Sequence, residues 1–311
     1  MATILNTHGV PTAGLECLQG HDIIMPAPLT AYSMEELMQL IPQADAVIAA
    51  GKLPGDVIRA GKKLRIIANY GAGYDSVDIA AAAACGVPVT NIPHTVTNAT
   101  AELAIGLMLA VSRRIGEMNL RLRKEDSTGL FGLGRHMGHT LQGRTQGVIG
   151  YGRIGERVGE IAKVLGMRVL AHSRHHIDGV ENADLPTLFA QAVVISLHCP
   201  LTDETRHLLD AAAFAKMKQG VMIINTARGG VIDHEALLDA LQSGRVAGAG
   251  LDVFPEEPCI PEALLALDNV VCTPHIGSNT AATRQDMLEA CAAQILDVLA
   301  GKRPANIVNG I

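Results

Sequence analysis

The sequence predicts an α/β protein with two doubly wound parallel sheets. Short apolar stretches alternate with helical stretches through the first hundred residues, and the alternation starts again at Thr145. The chain has 32 glycines but only four Phe, four Tyr and no Trp, which suits tight strand-to-helix turns and strands buried on both faces. With 311 residues, 48% of them hydrophobic, it is long enough for more than one domain.

Composition argues against several classes of protein. The net charge of −6 is opposite in sign to the basic face expected of a nucleic-acid-binding protein. No apolar run reaches the roughly 18 residues of a membrane span, and the first ten residues do not resemble a secretory signal. The six cysteines are scattered, which favours reduced thiols over disulfides or metal ligands. We therefore expect a cytoplasmic protein without a metal site, a membrane contact or a nucleic-acid partner.

The first unit of alternation begins close to the N-terminus. Its expected strands are Thr3–Leu5, Asp22–Met25, Ala46–Ala49, Leu64–Ala68 and Val87–Thr90. A helix is expected over Ser33–Ile41, where Ser33 and Glu36 have the spacing of a capping box. A long helix is predicted over Ala99–Lys124, and its wide apolar face favours burial between domains or subunits.

The second unit of alternation follows a glycine-rich loop. Its expected strands are Thr145–Ile149, Arg168–Ala171, Val193–Leu197, Val221–Asn225, Gly248–Leu251 and Val270–Thr273. Helices should occupy the intervals between these strands, and a last helix is predicted over Ala281–Ala300.

A glycine-rich turn lies near the middle of the chain, in the stretch GVIGYGRIG. Gly150, Gly152 and Gly155 have G-x-G-x-x-G spacing between an expected strand, Gln146–Ile149, and an expected helix, Arg153–Leu165. In this context the glycines permit a tight turn, a close approach of the backbone to a pyrophosphate, and close helix–strand packing. The turn therefore favours dinucleotide binding; the alternative is a tight turn without a ligand.

The strand that follows ends in the stretch HSRHH. Enzymes that prefer NAD usually carry an acid at this point, which binds the ribose 2′-hydroxyl. Here Ser173 takes that place and Arg174 follows, and a hydroxyl with a guanidinium suits a 2′-phosphate. The stretch favours NADP(H), with NAD(H) possible; the alternative is a solvated loop that serves either cofactor.

Three later segments each place a polar side chain just beyond an expected strand. Arg228 lies in INTARGGVID, Glu256 and Glu257 in LDVFPEEPC, and His275 in CTPHIGS. Singly they would be a surface arginine, solvated loop acids and a structural histidine. Together they suit reduction of a 2-oxo acid: an arginine holds the carboxylate and polarises the carbonyl, a histidine donates the proton, and a glutamate holds the imidazole and favours its protonated form.

In these motifs the chain resembles the D-isomer-specific 2-hydroxyacid dehydrogenase family, from about Ile4 to Asn309. The resemblance is carried by NYGAGYDSVDI, GVIGYGRIG, INTARGGVID, LDVFPEEP and TPHIGS, in this order. It implies a catalytic trio of Arg228, Glu257 and His275. Glu257 is chosen over Glu256 because the family's glutamate directly precedes a proline, here Pro258.

The resemblance also implies ligand contacts. The substrate, a small 2-oxo or 2-hydroxy acid, would be bound by Arg228, His275 and the backbone of Ala72 and Gly73. Asp252 would lie on the nicotinamide side of the cofactor. The expected cofactor contacts are Gly150, Gly152, Arg153, Ile154, Gly155, Ser173, Arg174, His175, Cys199, Thr226, Asp252 and Gly277.

The implied architecture has two Rossmann-like domains with an active-site cleft between them. Residues 1–97 and 281–311 would form a flavodoxin-like substrate-binding domain, and residues 98–280 the dinucleotide-binding domain. The family is usually dimeric, and Ala99–Lys124 is the expected subunit contact. The stretches HSRHH and TNATAELA resemble the glyoxylate/hydroxypyruvate reductase branch, which favours NADPH.

Other proteins of this fold remain as alternatives. A formate dehydrogenase would pair its histidine with Gln, whereas Glu257 stands here. A phosphoglycerate-dehydrogenase-like enzyme would use NAD. A corepressor-like NAD(H) sensor would bind the dinucleotide and dock peptides, and a binding subunit without chemistry would lack the trio. Turnover with glyoxylate or hydroxypyruvate separates an enzyme from a sensor.

Overall fold

The computed structural model describes residues 1–124 and 127–311. These residues divide into two compact units. Unit 1 consists of Met1–Val96 and Ser278–Ile311, and unit 2 consists of Thr97–Gly277. No helix within the described residues is both long enough and apolar enough to cross a membrane.

Unit 1 is built on a sheet of five parallel strands. The strands are β1 (Thr3–Asn6), β2 (Asp22–Ile24), β3 (Ala46–Ala49), β4 (Ile66–Asn69) and β5 (Val89–Thr90). Their order, β2-β1-β3-β4-β5, is that of a flavodoxin-like doubly wound sheet. Ile4 and Leu5 lie in different hydrophobic clusters, because successive side chains point to opposite faces. Both faces of the sheet are therefore buried, as the apolar strands predict.

The first helices of unit 1 follow these strands. They are α1 (Met34–Leu40), α2 (Gly55–Ala60) and α3 (Ile79–Ala84). The capping box at α1 is confirmed, because Ser33 Oγ accepts from the N–H of Glu36 and the Glu36 carboxylate accepts from the N–H of Ser33. Asp78 caps α3 in a similar way by accepting from the N–H of Ala81.

Within residues 97–124 and 127–277, unit 2 is built on seven parallel strands. They are β6 (Thr145–Ile149), β7 (Arg168–His172), β8 (Glu181–Asn182), β9 (Val194–Leu197), β10 (Val221–Asn225), β11 (Val246–Leu251) and β12 (Val270–Cys272). The spatial order is β12-β11-β10-β9-β6-β7-β8, so the direction of winding reverses beside β6. In sheets of this kind ligands bind at that reversal, outside the carboxyl ends of the strands.

The helices of unit 2 cover both faces of its sheet. They are α4 (Thr97–Ser112), α5 (Ile115–Lys124), α6 (Arg153–Val164), α7 (Leu185–Gln191), α8 (Ala211–Lys216), α9 (His234–Gln242) and α10 (Glu262–Leu265). Val148 and Ile224 pack in the cluster that contains α4 and α6, whereas Ile149 and Ile223 face the other cluster.

The prediction of one continuous helix over Ala99–Lys124 is wrong. Arg114 has a φ of 56°, in the left-handed region, and this ends α4 and separates it from α5. The Arg114 guanidinium then bonds to both carboxylate oxygens of Glu117, at 2.6 and 2.7 Å, which links the break to the next helix. Apolar periodicity continues across the break, so the pattern alone does not reveal it.

The last helix, α11 (Ala281–Leu299), belongs to unit 1. Its buried residues Met287, Leu288, Cys291 and Ile295 pack in the same cluster as Ile4 of β1. The chain thus returns to the first sheet after completing the second. The predicted class of two parallel-sheet α/β units is confirmed.

Candidate active site and cofactor turn

The predicted glycine turn lies at the carboxyl end of β6, the strand beside the reversal. Gly150 has a φ of 90°, and its N–H donates to the carbonyl of His172 at 2.9 Å. A Cβ on Gly150 would overlap the backbone of Cys199, and one on Gly155 would overlap the carbonyl of Gly150. Gly152 begins α6 without a side-chain cap and has open space at its Cβ position. The turn thus presents backbone N–H groups at a helix N-terminus, an arrangement that favours anions.

The stretch HSRHH lies beside this turn, because the His172 carbonyl is bonded to Gly150. Ser173 is half-buried, whereas Arg174 and His175 are exposed. The imidazole ring of His172 is held by Ala183, whose carbonyl oxygen lies 3.0 Å from Nδ1. Asp178 lies two residues beyond the stretch HSRHH, and its Oδ1 is 3.5 Å from Nε2 of His176.

The other predicted cofactor residues of unit 2 follow neighbouring strands of the same sheet. Cys199 follows β9 and is buried against Gly150, and Thr226 follows β10. Asp252 directly follows β11 and is 1% exposed, with the N–H of Gly277 donating to its Oδ2 at 2.9 Å. Arg153 and Ile154 open α6. Because parallel strands end at a common edge, these residues lie on one side of the sheet.

A buried asparagine shapes the loop that carries Arg228. Asn225, the last residue of β10, is fully buried; its Oδ1 accepts from the N–H of Ala227 at 3.0 Å, and its Nδ2 donates to the carbonyl of Arg228 at 3.0 Å. The Arg228 guanidinium also donates to the carbonyl of Ala227. The loop is therefore held at both ends of the segment that leads to the arginine.

The arginine loop packs directly on the loop that carries Glu257. A Cβ on Gly229 would overlap the backbone of Phe254 and Pro255, so only glycine permits this approach. The N–H of Phe254 in turn donates to Oε1 of Glu257 at 3.0 Å. This contact brings two of the three predicted segments together.

The second oxygen of Glu257 holds His275. Oε2 lies 2.7 Å from Nδ1 of the imidazole, and both side chains are part-exposed. Since an ionised carboxylate can only accept, Nδ1 carries the hydrogen. Glu257 is the ring's only hydrogen-bond partner among the described residues, so Nε2 makes no hydrogen bond to them.

The charge state of Glu257 is set by opposing influences. Burial raises the pKa of its carboxyl, but the hydrogen bonds from His275 and from the N–H of Phe254, with the charges of His275 and Arg228, outweigh burial. The pKa of Glu257 therefore lies below its usual value, and the group is a carboxylate at neutral pH. The structure thus brings Arg228, Glu257 and His275 together within unit 2.

Asp252 holds the backbone around His275. Its Oδ1 accepts from Thr273 Oγ1 at 2.6 Å and from the N–H of Ile276 at 2.8 Å, and its carbonyl accepts from the N–H of His275 at 2.9 Å. His275 has a φ of 52°, a conformation that non-glycine residues seldom adopt. The buried carboxylate supplies the bonds that keep it there.

In unit 1, the predicted substrate contacts Ala72 and Gly73 lie in a turn that follows β4. The turn is half-buried, and its carbonyl groups are bonded to the side chains of Asn69 and Asn91. These two asparagines, like Asn225 in unit 2, were missed by the sequence analysis. Each is a buried amide directly at or after a strand end, which is the signal that could have found them.

A further residue that the sequence analysis did not select is His198, which follows β9. Its Nδ1 lies 3.4 Å from Thr226 Oγ1, and no described residue is bonded to its buried Nε2. Burial lowers the pKa of His198 to about 3, so this imidazole is neutral at neutral pH. It is therefore a different kind of histidine from His275.

A family model described as "D-isomer specific 2-hydroxyacid dehydrogenase, NAD binding domain" matches residues 105–277, more than half of the chain. The chain belongs to the D-isomer specific 2-hydroxyacid dehydrogenase family. It is thus an oxidoreductase that acts on CH–OH groups with a nicotinamide cofactor. The matched range contains the glycine turn and all three residues of the predicted trio.

Curated relatives within the 2-hydroxyacid dehydrogenases place the chain near one branch. It is 46% identical to a hydroxypyruvate reductase of Thermotoga maritima, over 79% of this chain and 82% of that one. It is 41% identical to a glyoxylate reductase of Thermococcus litoralis, over 97% and 95%. These relatives bear out the resemblance to the glyoxylate/hydroxypyruvate branch.

A solved structure of the same branch has a similar fold. The NADPH-dependent glyoxylate/hydroxypyruvate reductase of Sinorhizobium meliloti, in complex with NADP and malonate, matches with a TM-score of 0.87 at 30% identity, covering 99% of this chain and 96% of that one. That relative binds NADP.

Proposed function

We propose that this family member reduces glyoxylate or hydroxypyruvate to the corresponding 2-hydroxy acid and prefers NADPH to NADH. The observation that carries the proposal is the Glu257–His275 pair, whose Oε2 and Nδ1 lie 2.7 Å apart, together with the contact between the Glu257 loop and the Arg228 loop. The names of the relatives support the substrate class. Unit 2 would be the dinucleotide-binding domain and unit 1 the substrate-binding domain.

The glycine turn fits the cofactor that the proposal requires. A Cβ at Gly150 or Gly155 would fill or distort the turn, and the N-terminus of α6 lacks a side-chain cap that would compete for its N–H groups. Arg153, Ile154, Cys199, Thr226, Asp252 and Gly277 would line the same site. When bound, the cofactor supplies the hydride that reduces C2 of the 2-oxo acid.

Arg228 would bind the substrate carboxylate with two parallel hydrogen bonds and polarise the neighbouring carbonyl. The N–H groups of Ala72 and Gly73 would bind the same carboxylate. Asn225 would act indirectly, because it holds the Arg228 loop through two buried hydrogen bonds. Holding the substrate in one orientation reduces the entropic cost of aligning its carbonyl with the reacting groups.

His275 would donate the proton from Nε2 to the carbonyl oxygen as the hydride arrives. Glu257 would hold the ring through Nδ1 and so fix its orientation. In the reverse direction the same imidazole would accept the proton from the hydroxy acid. Each step thus uses an atom whose orientation the two loops determine.

The preference for NADPH would depend on Ser173, Arg174 and His175. Ser173 is half-buried beside the glycine turn, and the two exposed basic side chains follow it. A hydroxyl and a guanidinium suit a 2′-phosphate, whereas the acid typical of NAD enzymes is absent from this position. A higher kcat/KM with NADH than with NADPH would contradict this preference.

A substrate panel tests the proposal. Glyoxylate, hydroxypyruvate, pyruvate and 3-phosphohydroxypyruvate would each be assayed with NADPH and with NADH. We expect the highest kcat/KM for one of the first two substrates with NADPH. No turnover with any of them would indicate a binding protein, and a preference for 3-phosphohydroxypyruvate with NADH would indicate a phosphoglycerate-dehydrogenase-like enzyme.

A single substitution tests the role of the arginine. Arg228→Ala should lower kcat/KM about 10³-fold, the scale of losing a positioned charge at the reacting group. Arg157→Ala, an exposed arginine on α6, is the matched control. Near-normal activity of Arg228→Ala would exclude the assigned role.

We also propose that the protein is a homodimer. Exposed apolar side chains are concentrated on α5 and the loop after it, a region that includes the C-terminal part of the predicted contact Ala99–Lys124. They are Ile115, Leu120, Leu122, Phe131, Leu133 and Met137. An apolar patch of this kind is typical of a surface that a second copy covers.

All six cysteines are free thiols, which supports a reducing compartment such as the cytoplasm.

A further inference from the structure

Every carbonyl group of the turn Gly71–Gly73 is held by hydrogen bonds from within unit 1. Asn69 Nδ2 donates to the carbonyls of Gly71 and Gly73, each at 2.9 Å. The N–H of Ile92 also donates to Gly71, at 3.2 Å, and Asn91 Nδ2 donates to the carbonyl of Ala72 at 2.7 Å. Two asparagine side chains therefore determine which way this turn faces.

The N–H groups of the turn point in the opposite direction. In a trans peptide the N–H and the C=O of one plane lie on opposite sides, so fixing the Gly71 carbonyl fixes the N–H of Ala72. Fixing the Ala72 carbonyl fixes the N–H of Gly73 in the same way. No acceptor among the described residues meets either N–H. Asn69 thus orients one free donor and Asn91 orients the next.

Both asparagines are themselves fixed by the interior of unit 1. Asn69 is 3% exposed and Asn91 is 8% exposed. The carbonyl of Asn91 accepts from Gln294 Nε2 of α11 at 3.0 Å, and Gln294 Oε1 accepts from Thr90 Oγ1 at 2.7 Å. A chain of buried hydrogen bonds therefore links the last helix to the turn.

We propose that Asn69 and Asn91 are positioning residues that preset the N–H groups of Ala72 and Gly73 for the carboxylate of the 2-oxo acid. The inference rests on the proposed function, in which those N–H groups bind the substrate. Two donors that are already aligned bind an anion without the cost of reorienting peptide planes. Neither asparagine touches the substrate in this proposal.

The test uses Asn69→Ala and Asn91→Ala in the full chain. Each should raise KM for the 2-oxo acid, and the dissociation constant of oxalate measured by calorimetry with NADP⁺ present, by about 10-fold or more, the effect of losing an oriented bond to a charged group. The dissociation constant of NADPH should change less than about twofold, because its contacts belong to unit 2. A loss of kcat and thermal stability with unchanged KM would indicate a merely structural role and overturn the inference.

Asn309→Ala is the matched control. Asn309 also bonds backbone groups of unit 1 through its side chain, accepting from the N–H of Val89 at 3.0 Å and donating to the carbonyl of Val87 at 2.8 Å. Among the described residues it makes no hydrogen bond to the turn. It should lower the melting temperature without changing KM for the 2-oxo acid. An equal rise of KM in this control would also overturn the inference.

The outcomes separate this inference from the function on which it rests. If the wild-type protein turns over no 2-oxo acid, the proposed function fails. If the wild-type protein is active and the two variants keep its KM and its oxalate affinity, only the positioning role fails. Should either alanine variant not fold, Asn69→Ser and Asn91→Ser give the same measurements in smaller polar replacements.

Discussion

At the scale of single residues, His275 depends on two acids that hold different parts of it. Glu257 bonds to the ring through Nδ1, whereas Asp252 holds the neighbouring backbone. The backbone of His275 has a φ of 52°, which costs a non-glycine residue about 1–3 kcal/mol. The imidazole keeps its orientation because the surrounding hydrogen bonds offset that cost.

Glu257→Gln should lower kcat/KM by about 10²-fold or more, since the ring loses its charged partner. The carboxyl has a lowered pKa in the folded protein, so its contribution is present above the unfolded value and is lost as pH falls through the lowered one. The wild type should therefore keep the ring oriented to pH values below the usual pKa range of a carboxyl group, and its kcat/KM should fall only at lower pH. The Glu257→Gln variant should not show this acidic fall in its pH profile. Glu256→Gln, the adjacent exposed acid, is the control, and equal effects of the two changes would exclude the pairing.

Ser173→Asp should move cofactor preference toward NADH. A carboxylate at this position repels a 2′-phosphate and accepts hydrogen bonds from a ribose hydroxyl. The ratio of kcat/KM with NADPH to that with NADH should fall at least about 10-fold. His176→Asp adds the same charge three residues later and should change the ratio much less. An unchanged ratio in Ser173→Asp would place the phosphate elsewhere.

At the scale of elements, the Arg228 loop, the Glu257 loop and the glycine turn depend on glycines at which two backbone segments are in close contact. Gly229 lets the arginine loop lie on Phe254 and Pro255, and Gly155 lets α6 lie on the Gly150 turn. A methyl group at either place would separate elements that the chemistry needs together. The glycines therefore set the spacing between elements, in addition to permitting turns.

Gly155→Ala should weaken NADPH binding and lower the melting temperature, because its Cβ would overlap the carbonyl of Gly150. Gly106→Ala is a matched change in another helix, where the Cβ meets nothing within 4 Å. It should stabilise the protein by about 0.5–1 kcal/mol, the usual gain over glycine in a helix. Fluorescence titration with NADPH and thermal unfolding measure both effects. Similar behaviour of the two variants would mean that Gly155 is not needed for close packing.

At the scale of the whole molecule, the exposed apolar side chains of α5 and the following loop belong neither to the glycine turn nor to the predicted trio. Leu133 is fully exposed, and Phe131 and Met137 lie near it in sequence. Water-facing apolar groups at this density favour association. The expected partner is a second copy of the chain.

Leu133→Asp should shift the protein from dimer to monomer, because a buried charge opposes an apolar contact. Leu29→Asp is the control, since Leu29 is exposed to a similar extent, 95% against 105%, in unit 1. Light scattering coupled to size-exclusion chromatography measures the mass of each. A dimeric Leu133→Asp, or a wild type that is already monomeric, would contradict the assignment of this surface.

Much of the fold follows from local patterns in the sequence. Ala46–Ala49, Thr145–Ile149 and Val221–Asn225 are strands with the predicted bounds, and the apolar runs in the first and third are typical of buried parallel strands. The pattern does not reveal β8, whose two residues are Glu181 and Asn182, because they carry no apolar signal. It also does not reveal the break at Arg114, where a single dihedral angle interrupts a helix.

Short motifs and local periodicity predict the fold class, the glycine turn and the identities of the trio. The folded chain is needed to show which atoms of Glu257 and His275 meet across 18 residues, that Asp252 holds the backbone around His275 and that Asn91 bonds to Ala72. These contacts are not local because a loop has no repeating hydrogen bonds of its own. Its conformation is determined by donors and acceptors from distant segments, and only the folded chain brings those within reach.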